Sequence, residues 1–174
     1  MMFKRFIPDI YQESIFTINY DKLKKKGIKC LLFDLDNTIS PAKEVVYSRK
    51  IKNLFKKLKK DFKIILFSNN FSKRIKPFSD YYDVDFTCIS LKPFSFKYRY
   101  VKRKYNLKKE EIAAIGDQLL TDIQGGNKMK ILTILVNPLS KIDETETWLN
   151  RQIEKIIFNS FEKNNILVKG RYYD

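Results

Sequence analysis

Histidine is missing from all 174 residues. Without an imidazole the chain cannot build a Ser-His-Asp or Cys-His triad, a zinc site on imidazole, or a histidine general base. Acid–base chemistry must therefore fall to carboxylates, Lys, Tyr or Cys. Cysteine is scarce too, with only Cys30 and Cys88, both in apolar contexts without metal-ligand spacing. They read as structural thiols in a reducing cytoplasm. No stretch approaches the ~20 apolar residues that a transmembrane helix needs. The start, Met-Met-Phe-Lys-Arg-Phe-Ile-Pro-Asp, has neither a long apolar core nor a small-residue cleavage site. No secretory signal is read there, and a cytoplasmic location is expected. Internal repeats, low-complexity segments and linkers are also missing.

What is present suits one domain with a substantial core. A hydrophobic fraction of 44% beside 32% charged residues argues against disorder. The charge is one-sided: 35 Lys and Arg against 20 Asp and Glu, a formal net +15. A surface this basic attracts nucleic acid, anionic lipid or phosphorylated substrates, or is simply the solvated face of a Lys-rich chain.

The chain is organised around residues 28 to 40. Cys30 to Phe33 is a short apolar run of the kind that fills a strand buried on both faces. It stops at two carboxylates one residue apart, Asp34 and Asp36, followed by Asn37 and Thr38. Carboxylates this close repel each other unless a cation or a shared proton intervenes.

Four more strands are expected, at Lys63–Phe67, Asp85–Ile89, Ile112–Ile115 and Ile131–Val136. Between them, helices are expected after Ser48 (Ile51, Leu54, Phe55 and Leu58 at helical spacing), near Ser72, through Phe94–Tyr105, and from Thr121 to Lys128. Asp21 is read as the cap of a short helix ended by Gly27. A C-terminal helix is read from Glu144 to about Lys163, with Trp148, Leu149, Ile153, Ile156, Ile157 and Phe161 as its apolar stripe. The division expected is a docking arm over 1–27, a catalytic core over 28–138, and a helix with a tail over 139–174. Alternating strands and helices imply an α/β fold, a doubly wound parallel sheet with right-handed crossovers.

In such a sheet ligands bind at the carboxyl ends of the strands. Asp34 and Asp36, Ser68 with Asn69, Lys92, and Asp117 with Asp122 each stand at or just beyond a strand end, so they should converge on one crevice. Three carboxylates, a lysine and a hydroxyl form a consistent set for phosphoryl chemistry. Oxygen ligands suit Mg²⁺, and lysine and metal together neutralise the repulsion between an attacking carboxylate and a phosphate. Ser68 and nearby backbone N–H groups, at a strand-to-helix turn, can hydrogen-bond the phosphate oxygens.

Asp34-Leu35-Asp36-Asn37-Thr38, Ser68-Asn69-Asn70, Lys92-Pro93 and Gly116-Asp117-Gln118-Leu119-Leu120-Thr121-Asp122 together resemble the four motifs of the haloacid dehalogenase-like (HAD) phosphatases. The resemblance is closer still to the YqeG-type branch and runs from Pro8-Asp9 to at least Pro138. It implies a Rossmann-like core and a role for each matching position. Asp34 would be the nucleophile and a Mg²⁺ ligand. Asp36 would be the general acid and base, its carbonyl also reaching the metal. Ser68 and Asn69 would bind the phosphoryl group, and Lys92 would neutralise it. Asp117 would ligate Mg²⁺, and Asp122 would hold the metal's water shell or the lysine.

In this family a substrate-covering cap is inserted between the first and second or the second and third motifs. Here those intervals are residues 37 to 67 and 69 to 91, each filled by a loop, a helix and a strand. The site should be open, which suits a phosphate presented on something large or on a surface. The branch is similar to phosphatidylglycerophosphate phosphatases. An uncapped crevice and a basic surface fit work against an anionic bilayer, peripheral on the inner face of a membrane. The basic, aromatic-rich stretch from 92 to 109 is the candidate for substrate or membrane contact, against the plainer reading of a core helix with a solvated basic face. Three rivals stand beside the lipid reading. One is a capless phosphatase acting on nucleic-acid or protein phosphate. Another is a receiver-like phospho-signalling domain, which also uses carboxylates, a hydroxyl residue and a Lys on a doubly wound sheet. The third is a basic nucleic-acid-binding module on the same fold.

Overall fold

The computed structural model describes residues 3–42, 44–140 and 145–174, with side chains described from Leu149 onward in the last stretch. Six strands form one sheet: β1 (Ile10–Gln12), β2 (Cys30–Phe33), β3 (Lys63–Phe67), β4 (Asp85–Thr87), β5 (Ile112–Gly116) and β6 (Leu132–Val136). Their order is β1-β6-β5-β2-β3-β4, and every pairing is parallel. The central strand β2 is flanked in register by β3 and β5, with Phe33 opposite both Leu66 and Ile115.

Parallel strands need crossover connections, and helices supply them. They are α1 (Tyr20–Lys25), α2 (Arg49–Leu58), α3 (Ser72–Tyr82), α4 (Phe96–Lys104), α5 (Gln124–Met129) and α6 (Thr145–Lys163). The alternation of side chains along β2 divides the core. Leu31 and Phe33 join the layer with Phe55, Phe78 and Ile51, whereas Cys30 and Leu32 join Tyr98, Val101 and Phe67 on the opposite face. Burying a side chain of this size contributes about 1.5–3 kcal/mol. Such layers on both faces hold the loops at the carboxyl edge. This is the expected α/β sheet.

Local chemistry sets the helix ends. Ser48 accepts from the Ile51 N–H at 3.3 Å and starts α2 as expected. At α1 the cap is Asn19, accepting from Lys22 N at 3.0 Å, rather than Asp21. Gly27, at φ +85°, ends that segment in the left-handed region where a side chain would be strained. Thr121 does not cap the next helix: a π-helical turn (Leu119–Ile123) runs directly into α5.

The first 27 residues do more than dock. They contribute β1, an edge strand beside β6, which the docking arm expected over 1–27 does not include. The stripe expected on α6 divides. Ile157 and Phe161 are buried, whereas Leu149, Ile153 and Ile156 are exposed. The expected start at Glu144 and the Trp148 side chain lie outside the described residues. The intervals 37–67 and 69–91 hold α2 with β3 and α3 with β4, so among the described residues no cap interrupts the core. Among them, too, no helix is long and apolar enough to cross a membrane.

Candidate active site

Asp34 follows β2 directly, its N–H still donating to Ile115 O at 2.9 Å, so the sheet fixes its main chain. Ser68 takes the same position after β3, and Asp117 after β5. Lys92 lies in the connection after β4. All four are buried. The Lys92 ammonium donates to Asp34 Oδ1 at 2.5 Å and to Asp122 Oδ1 at 2.6 Å. Thr38 Oγ1 donates to Asp117 Oδ1 at 3.1 Å. Asp34, Asp117 and Asp122 each offer a carboxylate oxygen, and these oxygens all lie within 4.8 Å of one another. The carboxyl-edge crevice is lined by Asp34, Asp36, Ser68, Asn69 and Lys92, with Asn70, Gln118, Thr121 and Asn150 beside them.

The sequence-predicted residues therefore converge. Asp122, expected to hold the metal's water shell or the lysine, contacts Lys92 and also belongs to the three-carboxylate cluster. The Asp36 carboxylate lies outside that cluster, held by Arg74 Nη2 at 2.7 Å, Arg74 Nε at 3.2 Å and Asn70 Nδ2 at 2.6 Å. The Asn69 amide grips the main chain of Lys92, accepting from its N–H at 2.7 Å and donating to its carbonyl at 3.2 Å.

Gly116 is required by close approach. A Cβ there would sit 2.2 Å from Asp122 Cγ, so only glycine lets that carboxyl turn toward Lys92. Beneath the site, Tyr98 is buried against Phe67, and its hydroxyl has no hydrogen-bond partner among the described residues.

Three functional residues escaped the sequence reading. Arg74 on α3 braces Asp36 and also donates to the Glu44 and Pro41 carbonyls, tying down the loop that follows β2. Arg151 on α6 donates to the Asp117 carboxylate, to its carbonyl at 3.0 Å, and to Glu154 at 2.9 Å. Glu154 in turn accepts from the Leu120 N–H at 3.2 Å. A signal for the last two was present: Glu154, Ile157 and Phe161 fall at i, i+3, i+7, placing a carboxylate on the buried face.

The electrostatics test whether a divalent cation fits. Asp34, Asp117, Asp122 and Glu154 are buried beside two cations, Lys92 and Arg151. Among the described residues, four carboxylates against two cations leave a deficit of two positive charges, the charge of one such ion. Without it, burial and then the neighbouring acids hold Asp34 well above the usual carboxylate range, though Lys92 opposes this. Burial likewise raises Asp117 to about 6 despite Arg151, and raises Glu154. Burial works against the Lys92 charge, but Asp122 and Asp34 outweigh it and raise its pKa. Protons are the alternative to a cation here, and the all-oxygen donor set suits a hard metal.

Comparison with known proteins follows the same line. A family model described as HAD-hydrolase-like matches residues 91–148, and one described as mitochondrial PGP phosphatase matches residues 2–79. The probable phosphatase YqeG of Bacillus subtilis is 35% identical over 94% of this chain and 95% of its own length. Phosphatidylglycerophosphate phosphatase 1 of Arabidopsis thaliana is 24% identical over 86% of this chain, but that match spans 45% of the plant protein. A HAD-like family hydrolase structure from Porphyromonas gingivalis superposes with a TM-score of 0.52 at 12% identity, covering 75% of this chain and 98% of that one; it speaks for the fold alone. A carboxyl edge that brings four motif stretches together and a relative matched over nearly its whole length at this identity give one conclusion: the chain belongs to the HAD-like phosphatases, in the capless YqeG branch.

Proposed function

We propose that this phosphatase hydrolyses phosphomonoesters through an aspartyl-phosphate on Asp34, with Mg²⁺ as its cofactor, and that its substrate is phosphatidylglycerophosphate. The observation that carries the reading is the Asp34–Lys92–Asp122 contact beside Asp117, at the floor of an uncapped crevice. Asp34, Asp117 and the Asp36 carbonyl would hold the ion, which when bound supplies positive charge against the attacking carboxylate and the phosphate oxygens.

Asp34 attacks phosphorus, the ester P–O bond breaks, and Asp36 gives its proton to the leaving alkoxide. Asp36 then takes a proton from a water whose oxygen attacks phosphorus. The P–O bond to Asp34 breaks, releasing phosphate and restoring the Asp34 carboxylate and the protonated Asp36. Lys92 neutralises the transferring group, and Ser68 with the Asn69 main chain hydrogen-bonds its oxygens. An acid at position 36 makes the acyl-phosphate transient, which favours hydrolysis over phospho-signalling.

The substrate is supported by likeness to the named plant phosphatase, by the open site and by the net charge of +15. Residues 1–174 act as one catalytic unit, at the inner face of a membrane. The test is a panel of phosphatidylglycerophosphate in anionic vesicles against soluble sugar, nucleoside, RNA-end and peptide phosphates, with Mg²⁺ or with chelator. Preferential turnover of the lipid supports the assignment; equal rates across the panel reject it.

A further inference from the structure

The residues that flank the phosphate-binding positions carry large apolar side chains turned to solvent. Phe71 is 72% exposed, Phe96 67%, Phe94 59%, Leu91 50% and Ile89 40%. Phe71 follows Asn70 directly, and the other four bracket Lys92 within four residues. The backbone is built to display them. Ile89 and Leu91 both adopt left-handed φ values, 46° and 53°, which side-chain-bearing residues rarely take and β-branched ones least of all. Three main-chain N–H groups fasten the segment. Ile89 N–H donates to Asn70 O at 2.9 Å, Ser90 N–H to Ser68 O at 3.0 Å, and Lys92 N–H to Asn69 Oδ1 at 2.7 Å. Ser90 and Lys92 point inward and are buried, while Ile89 and Leu91 are turned out.

Lysines accompany these side chains: Lys73 two positions after Phe71, Lys97 directly after Phe96, and Lys128, whose ammonium stands 5.6 Å from the Phe94 ring centroid. Exposed apolar side chains accompanied by lysines match a bilayer interface, where apolar groups enter the acyl boundary and ammonium groups meet anionic headgroups.

We infer that this rim, centred on Phe71, Phe94 and Phe96, docks the enzyme onto an anionic lipid surface with the crevice facing the bilayer. The inference rests on the lipid reading above and adds the contact surface: a headgroup phosphate would reach Asp34 while its acyl chains stay in the membrane. The basic helix α4 is thereby the flank of the docking face, and its Tyr98 and Val101 are core.

The test is sedimentation of the full chain with vesicles of phosphatidylglycerol and phosphatidylcholine, or of phosphatidylcholine alone, without substrate. Wild-type protein should bind the anionic vesicles selectively. The triple variant F71S/F94S/F96S should lose about tenfold or more in vesicle affinity while hydrolysing p-nitrophenyl phosphate as wild type does. A second reading does not depend on a weakened protein: F96W in a W148F background should shift its emission to the blue on anionic vesicles and be quenched by brominated lipid. Unchanged vesicle affinity in the triple variant, or no emission shift, overturns the proposal. So does a wild-type chain that ignores anionic vesicles, or a rim that instead holds two copies together, seen as a dimer dissolved by the triple variant. The substrate panel fails separately: lipid turnover without rim-dependent binding sinks the docking face alone, and equal turnover of soluble phosphates sinks the lipid substrate.

Discussion

Arg151, on the C-terminal helix, donates both to the carboxylate of Asp117 and to its backbone carbonyl, so α6 reaches into the candidate site at the carboxyl edge. Replacing Arg151 with Ala strands Asp117 and Glu154 in the interior without their shared cation. Such a loss costs about 3 kcal/mol or more. Thermal melting without metal should show the drop. Saturating Mg²⁺ should then raise the melting temperature of the variant more than that of wild type, because the ion replaces missing positive charge. An equal or smaller shift contradicts the placement of the metal beside Asp117.

Metal-free stability should depend on pH in a defined direction. The folded pKa of Asp117, about 6, stands above the ordinary 3.8, and that of Asp34 is raised too. A carboxyl raised on folding contributes stability that is present below its unfolded pKa and lost as pH climbs through the folded one. Between about pH 4 and pH 7 the metal-free protein should therefore lose stability from this cluster. Ion-paired acids with lowered values, Asp83, Asp85 and Glu111, act oppositely but at more acid pH. The Mg²⁺-induced shift in melting temperature should grow as pH rises through 6, and a flat profile would oppose the assignment.

Much of this edge was legible in the sequence because strand ends carry it. Short apolar runs stopped at Asp34, Ser68 and Asp117, and parallel topology alone brings such positions together. Lys92 was legible through Lys92-Pro93. Arg74 and Arg151 were not, because each sits on a helix where a basic residue reads as solvated. Only the fold shows which of 35 Lys and Arg turn inward. The edge strand Ile10–Gln12 was hidden for a related reason: three residues are too few to show a period of two, and Pro8 dominated the reading. On α6 the helix was correct, but its faces were misjudged. Ile153 and Ile156 suggested a core stripe, whereas the buried line runs through Glu154, Ile157 and Phe161.

Gly116→Ala tests the close packing behind the lysine. The added methyl would overlap the Asp122 carboxyl, 2.2 Å away, and push it off Lys92. Overpacking of this kind costs about 1–3 kcal/mol. Displacing the lysine's partner should lower kcat on the order of 100-fold. Urea melts and steady-state kinetics on p-nitrophenyl phosphate read the two effects separately. Unaltered kinetics would show that the contact has no bearing on turnover.

Arg74 is a positioning residue for Asp36. Arg74→Gln should reduce kcat by roughly 10- to 100-fold on an alkyl phosphate whose leaving group needs a proton, with little change in KM. The loss should be smaller on p-nitrophenyl phosphate, whose leaving group departs unprotonated, and Arg74→Lys should recover part of it. Equal losses on both substrates would mean that Arg74 supports the fold rather than the acid.

The most direct measurement is chemical trapping at Asp34. With p-nitrophenyl phosphate and Mg²⁺, Asp36→Asn should still form the acyl-phosphate but hydrolyse it slowly. Acid quench, borohydride reduction and peptide fragmentation should then find homoserine at position 34, and none in a protein that also carries Asp34→Asn. Phosphate recovered on another residue, or undiminished turnover by Asp34→Asn alone, would contradict the account.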